Sequence, residues 1–385
     1  MSTKKIRMAI LAMSMLQMST MAIAPSLAEI SKAFPQASVT LIQLLVTLPG
    51  LMMVPSAILS GLVAARVSKK SIAVGAVAIV CVGGLLPLLF HQSLVQLLFF
   101  SGLIGIGLGP ILPIGSSLIA EYFTGESQSR LLGVQAATVN GGGVLISIAS
   151  GILAAGLWYR SYYAFLIAVP ILLIIILLLP VDKPQSAGTG HARPKIYRLT
   201  FILSCLTFVF VTVFNTFPTN IALYVTENKL GDSAFAGTAT AVLLGGGLIS
   251  GLLFSRMNGL LKQYTLPLGY LIAGSGLLFL IHAKTPVSIL LSCFFGGLGM
   301  GFVLPKSLNI LTANIPGPSR SINIALHIGI TNFGLFSSPI IINALAAALE
   351  ENGAILRCTI GGVLGLVMSV CVLIVFLWRK PEAMR

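Results

Sequence analysis

Acidic residues are scarce in this 385-residue chain: nine Asp and Glu stand against 23 Lys and Arg. All nine (Glu29, Glu121, Glu126, Asp182, Glu227, Asp232, Glu350, Glu351, Glu382) fall in loops or at the ends of apolar runs. A proton relay built on carboxylates deep in a membrane, a common device of pumps and transporters, therefore has no members here. Charge of either sign is rare as well, 8% of residues against about 25% in soluble domains, which excludes an ordinary soluble globule. The five cysteines lie in apolar runs without C-x-x-C or Cys/His spacing, so neither a metal centre nor a disulfide framework is expected. Four histidines (His91, His191, His282, His327), three of them outside the apolar runs or at their ends, and no paired carboxylates leave an enzyme without its acid, base or nucleophile. No enzyme activity and no cofactor are expected.

Apolar residues make up 56% of the chain. A bilayer core about 30 Å thick takes roughly 20 apolar residues per helix, so the length accommodates about a dozen spans. Polar and Gly/Pro punctuation places them near 8–28, 39–64, 72–90, 94–120, 131–156, 161–180, 199–221, 236–255, 265–283, 287–313, 322–349 and 355–377. The first run is of span length and is soon followed by more, which marks a membrane helix rather than a cleaved leader. One long polar linker, residues 182–198, is rich in Gly, Pro and small residues and divides the chain almost in half, into 1–181 and 199–385. The net charge of +14 is scattered over many short loops, which excludes a nucleic-acid partner and signals topology. With both termini cytoplasmic, 17 of the 23 basic residues fall on the cytoplasmic side, as the positive-inside rule requires.

The halves repeat each other. "GIGLGPILP" (Gly105 to Pro113) matches "GLGMGFVLP" (Gly297 to Pro305), and at the same offset Gly125 meets Gly317, Ser127 meets Ser319, Ser129 meets Ser321, Asn140 meets Asn332 and Gly142 meets Gly334. An even number of spans per half, matched in direction, is a parallel six-plus-six repeat. The Gly-x-Gly-x-Gly runs lack the strand-to-helix context of a phosphate loop and are expected to serve close helix packing. "SGLVAARVSKK" (Ser60 to Lys70) and "SGLLFSRMNGLLK" (Ser250 to Lys262) form a second matched pair. On these residues the chain resembles the major facilitator superfamily, whose hallmark loop reads roughly G-x-x-x-D-R-x-G-R-K. Gly61, Arg66, Lys69 and Lys70 fit it, while Ala65 replaces the Asp that helps latch the two halves and Ser68 replaces the second Gly. Ser101 occupies the position of an Arg usual in drug/proton antiporters of the family, and "NGGG" (Asn140 to Gly143) lacks the proline of their fifth-span motif. The resemblance implies an all-α membrane protein of twelve helices in two parallel six-helix repeats, with Gly61, Arg66, Lys69 and Lys70 as a conformational switch loop.

The resemblance also implies that the first, fourth, seventh and tenth spans line a central cavity bordered by the second, fifth, eighth and eleventh. The first half offers Gln17, Met21 and Gln135, with Met13, Gln17 and Met21 four apart on one helical face. Such a face suits varied apolar ligands, or packs in a core or against lipid. The second half offers Asn215, Asn220, Lys306, Asn309 and His327, with Lys306/Asn309 and Asn323/His327/Thr331 each on one face. These side chains bind cargo or tie helices together. Lys306 lies nine residues in from Ile315, roughly 14 Å, and His327 six in from Ser321, roughly 9 Å. Lys306 either receives a negative group of the cargo or snorkels toward the cytoplasm. The resulting expectation is a secondary transporter of the cell membrane, a monomer, moving a small organic solute, amphiphilic or anionic, by alternating access, with a coupling proton or an exchanged solute. A proton-coupled multidrug or metabolite efflux antiporter is the alternative. A channel is disfavoured, because Lys306 has no charged twin at Ile114.

Overall fold

The computed structural model describes residues 3–64, 66–181, 195–350 and 353–378 and holds no strand among them. In lipid every backbone polar group must be satisfied within its own segment, so apolar runs of this length have the helix as their only open structure. The helices are α1 (Thr3–Ala33), α2 (Val39–Val63), α3 (Lys69–Leu88), α4 (Leu94–Tyr122), α5 (Gly125–Ala154) and α6 (Trp158–Leu178). They continue as α7 (Arg198–Glu227), α8 (Ser233–Leu261), α9 (Thr265–Leu280), α10 (Pro286–Asn314), α11 (Gly317–Ala348) and α12 (Ala354–Trp378). All twelve expected spans are present, in a two-repeat layout. The eighth outruns its expected end at 255, because Arg256 to Leu261 continue the helix. Only the single 3-10 turn Lys262–Tyr264 then separates α8 from α9, with Lys262 at φ 47°.

Polar residues at the boundaries start the helices. Ser38 caps α2 by accepting from Leu41 N at 3.3 Å, and Thr285 closes a capping box with Ser288 at the head of α10. Ser68, where the family loop has glycine, caps α3 by accepting from Ser71 N at 3.2 Å. That departure is a helix start.

The chain forms two compact units, one of Met1–Thr189 with Asp232–Ala241, the other of Gly190–Gly231 with Val242–Arg385. The start of α8 joins the first unit because a Cβ on Gly237 would fall 2.9 Å from Gly151 Cα, and because Ser147 Oγ donates to Gly237 O at 3.1 Å. Within each unit the glycine run is the same packing device. A Cβ on Gly105 or Gly109 of α4 would enter the α2 backbone at Pro49 and Met53, and one on Gly107 would meet Ala76 O of α3 at 2.5 Å. In α10, Gly297 and Gly301 sit on α8 at Leu243 and Gly247, and Gly299 on α9 at Gly269 O, 2.6 Å. The repeat read in the sequence is thus realised contact by contact, by backbones brought together without side chains between them.

Proline has unequal effects in the two runs. The turn at Gly109–Pro110 interrupts α4, whereas α10 passes through Pro305 without a break. In α1, residues Met15–Ala22 wind as a 3-10 helix with Met18 off helical geometry (φ −100°, ψ 18°), and Pro25 lies in a further 3-10 turn.

Candidate functional site

In the first unit the winding of α1 redraws the expected face. At three residues per turn, positions three apart eclipse one another. The half-buried methionines of this stretch are Met15, Met18 and Met21, beside the half-buried Gln17. Met13, 0% exposed, is turned into the core against Gly115 of α4, so Met13, Gln17 and Met21 do not share a face. Gln17 is half-buried, and its Oε1 has no hydrogen-bond partner among the described residues. Gln135 of α5 is buried and donates from Nε2 to Ser14 Oγ of α1 at 3.1 Å, which in turn donates to Ile10 O at 2.8 Å. Gly142, in the NGGG run, lets α5 lie on the Met15 backbone, where a Cβ would come within 2.4 Å of Met15 O.

In the second unit Lys306 is 8% exposed, and its Nζ donates to Asn258 Oδ1 of α8 at 2.7 Å. The helices touch where Gly301 meets Gly251. From that level Asn258 lies about 10 Å along α8 and Lys306 about 7 Å along α10. The lysine chain thus leans about 3 Å toward the C-terminal end of α10 to reach its acceptor. No carboxylate partners it among the described residues. Asn309, one turn on, is exposed.

His327 is 2% exposed and bonded at both ring nitrogens, Nδ1 to Ser204 Oγ of α7 at 3.1 Å and Nε2 to Ser307 Oγ of α10 at 3.0 Å. The Ser307 hydroxyl donates to Leu304 O at 2.8 Å. Its oxygen is then the acceptor for the ring, which assigns the hydrogen to Nε2 and leaves Nδ1 to accept from Ser204. The chain of bonds is complete with a neutral imidazole and ties three helices together. Asn323 accepts from Tyr197 N (3.0 Å) and Thr200 Oγ1 (2.5 Å) and donates to Lys195 O (2.8 Å) and Ser319 O (2.7 Å), pinning the start of α7 to α11.

Two further polar residues are matched to prolines. A proline inside a helix cannot donate to the carbonyl four residues before it. Pro339 thereby frees Leu335 O, and Asn215 Nδ2 of α7 donates to that oxygen at 3.2 Å. Pro49 frees Leu45 O, and Ser101 Oγ of α4 donates to it at 2.6 Å. The residue standing in the antiporter arginine position therefore repairs a helix. Asn220 is buried and donates to Thr216 O at 3.0 Å within α7.

In the switch loop, Gly61 and Arg66 are exposed, and Ala65 lies outside the described residues, as does the linker around Gly188. Lys69 is buried and bonded to Glu121 at the end of α4, Nζ to Oε2 2.5 Å. Lys70 also has a partner.

The geometry brings together His327 with Ser204 and Ser307, Lys306 with Asn258, and Gln135 with Ser14. Sequence reasoning missed Met15, Asn258, Ser204 and Ser307. A period of three in Met15, Met18 and Met21 was there to be seen; the serines carry no comparable signal. Among the described residues no group of three His, Cys, Asp or Glu side chains is arranged to hold a metal ion.

The structure aligns with solved transporters over nearly its whole length. A point mutant of the nucleoside transporter NupG aligns with a TM-score of 0.80 at 11% identity, covering 96% of this chain and 100% of the other. A bacterial homologue of the human lysosomal transporter Spinster, inward-facing and occupied, gives 0.74 at 15% identity with 98% of both chains covered. A D-xylose–proton symporter gives 0.73 at 16% with 97% of both. At these identities the likeness shows the fold alone. No curated protein matches the chain in sequence. The Major Facilitator Superfamily profile matches residues 9–295, and with the twelve helices, the repeated glycine packing and the hallmark loop already described, the chain belongs to that superfamily of membrane transporters.

Proposed function

We propose that this protein is a secondary transporter that moves a small organic solute, anionic or amphiphilic, by alternating access. In this reading the halves 1–181 and 199–385 rock about the linker, both termini are cytoplasmic, and the protein works as a monomer in the cell membrane. The carrying observation is Lys306, a buried ammonium whose one acceptor, Asn258, is neutral. Basic residues carried on an apolar span are costly, and they face a water-filled cavity or a partner. An anionic group on the cargo supplies the counter-charge that the protein itself withholds. The half-buried methionines of α1 and the unpartnered Gln17 Oε1 serve an apolar body with a hydrogen-bond donor. Asn309 and Asn220 belong to the same set, whereas Gln135, Asn215 and His327 hold the helices that present it. The fold neighbours, a nucleoside transporter and a D-xylose–proton symporter by name, support a small organic solute and a coupling proton or exchanged solute. Ser101 on Leu45 O weighs against proton-coupled drug efflux.

The test is thermal stabilisation of purified protein by a panel of organic acids, with hydrophobic cations as the contrast, since a bound ligand shifts stability by mass action. Organic acids are expected to stabilise wild type, Lys306→Arg in part, and Lys306→Ala not at all. Equal stabilisation of Lys306→Met and wild type by every acid defeats the proposal.

A further inference from the structure

We propose that Asn258 is a second anion-binding residue: with Lys306 it forms a two-point donor site for one carboxylate, sulfonate or phosphate oxygen group of the cargo. The inference rests on the reading of Lys306 above and adds a residue that reading does not contain. Because an ammonium only donates, the 2.7 Å contact fixes the asparagine amide with Oδ1 toward Nζ. The Nδ2 group must then point away from the lysine. It makes no hydrogen bond to the described residues, and neither do the two remaining hydrogens of Nζ. Two donor groups held side by side by their own hydrogen bond match the two oxygens of a carboxylate, and hydrogen bonds to ionised acceptors are the strong ones. Asn258 is itself only half-buried, so its free edge is open to a ligand. The site is also braced. Gly301 of α10 lies on Gly251 of α8, so the backbones carrying the two donors keep a fixed separation. In the matched loop of the first half the counterpart of Asn258 is Ser68, whose hydroxyl caps α3. The donor pair therefore belongs to the second unit alone.

The experiment reads the site without a known cargo. Asn309, one turn from Lys306 and exposed, is replaced by cysteine (Asn309→Cys) in a chain whose exposed Cys205 and Cys371 are serine, the other three cysteines being buried. Second-order rates are measured for 2-sulfonatoethyl methanethiosulfonate, an anion, and for its trimethylammonioethyl analogue, a cation. A working anion site gives the anion the larger rate, and Lys306→Met is expected to remove that preference. Asn258→Leu is expected to lower the anion-to-cation ratio about tenfold, the equivalent of one hydrogen bond to a charged group. Asn258→Asp, which neutralises the lysine, is expected to lower it further. If Asn258 served only to hold the ammonium, Asn258→Leu would leave the ratio unchanged or raise it, and that result overturns the inference while sparing the role of Lys306. An unchanged ratio in Lys306→Met overturns both. Bilayers of phosphatidylcholine and of phosphatidylglycerol separate the sources of the anion: a ratio that collapses only in phosphatidylglycerol assigns the donors to a lipid headgroup and overturns the assignment to cargo.

Discussion

Asn215 and Pro339 form the most direct test of how buried polar residues are used in this protein. Asn215 is 2% exposed, and its amide fills the place of the backbone N–H that Pro339 lacks, donating to Leu335 O at 3.2 Å. Asn215→Leu removes that donor and leaves a buried carbonyl unpaired, a loss of about 1–3 kcal/mol. Measured couplings between helices in membranes average about 0.6 kcal/mol and reach about 1.7, which narrows the expectation to about 1–2 kcal/mol. Pro339→Ala restores an N–H to α11, so Leu335 O regains a partner within its own helix. In the double variant Asn215→Leu/Pro339→Ala, loss of the asparagine is therefore expected to cost about 1 kcal/mol less than it does alone. Unfolding of the four proteins of this cycle in mixed micelles gives the coupling energy. Additivity within about 0.3–0.5 kcal/mol, the behaviour of independent sites, refutes the pairing. The same four proteins weigh the other use of Asn215, because a cargo ligand loses transport on substitution at unchanged stability, with no relief from Pro339→Ala.

Single cysteines at Gly188 and Lys229 are expected to react with a membrane-impermeant reagent in intact cells only at Lys229; the reverse pattern overturns the topology drawn from the basic residues. In proteoliposomes the protein is expected to exchange or facilitate, and robust uphill transport driven by an imposed pH gradient shows a proton carrier outside this account. Lys69→Met is expected to destabilise by about 1–3 kcal/mol, below the ~3–5 kcal/mol for breaking a wholly buried pair because the Glu121 side chain is 28% exposed. The reversed pair Lys69→Glu/Glu121→Lys is expected to recover part of that loss, and a melting temperature unmoved by Lys69→Met rejects the pair as a structural tie.

The helices were legible because a bilayer forces a length and a composition on them, and the repeat was legible because backbone contact forces glycine at fixed spacing. Gly105 and Gly297 meet different helices, yet each meets its own at the same place in the pattern. The winding of α1 was less legible. Positions 13, 17 and 21 make a face at 3.6 residues per turn, and the tighter 3-10 winding with its break at Met18 undoes it. The partners of Lys306 and His327 were hidden for another reason. Asn258 and Ser204 are far from them in sequence, and serines recur throughout membrane helices as ordinary packing residues.

A polar side chain in a membrane helix has two competing uses, and the prolines decide part of the contest before any cargo arrives. Each internal proline frees the carbonyl four residues earlier, and a donor on a neighbouring helix can satisfy that oxygen. Leu45 O takes Ser101 and Leu335 O takes Asn215. The His327 ring is closed by Ser204 and Ser307, and Gln135 is engaged by Ser14. Spare in the second unit are the donors of Lys306 and Asn258, and in the first the Gln17 Oε1, Ser19 Oγ and Tyr162 hydroxyl atoms have no partner among the described residues. A solute that brings acceptors satisfies Lys306 and Asn258. A simple hydrophobic cation does not, since it adds charge of the same sign to Lys306. Discrimination against cations is thus the property that follows from the spare groups themselves, and flux of tetraphenylphosphonium faster than that of benzoate through wild-type protein would contradict it.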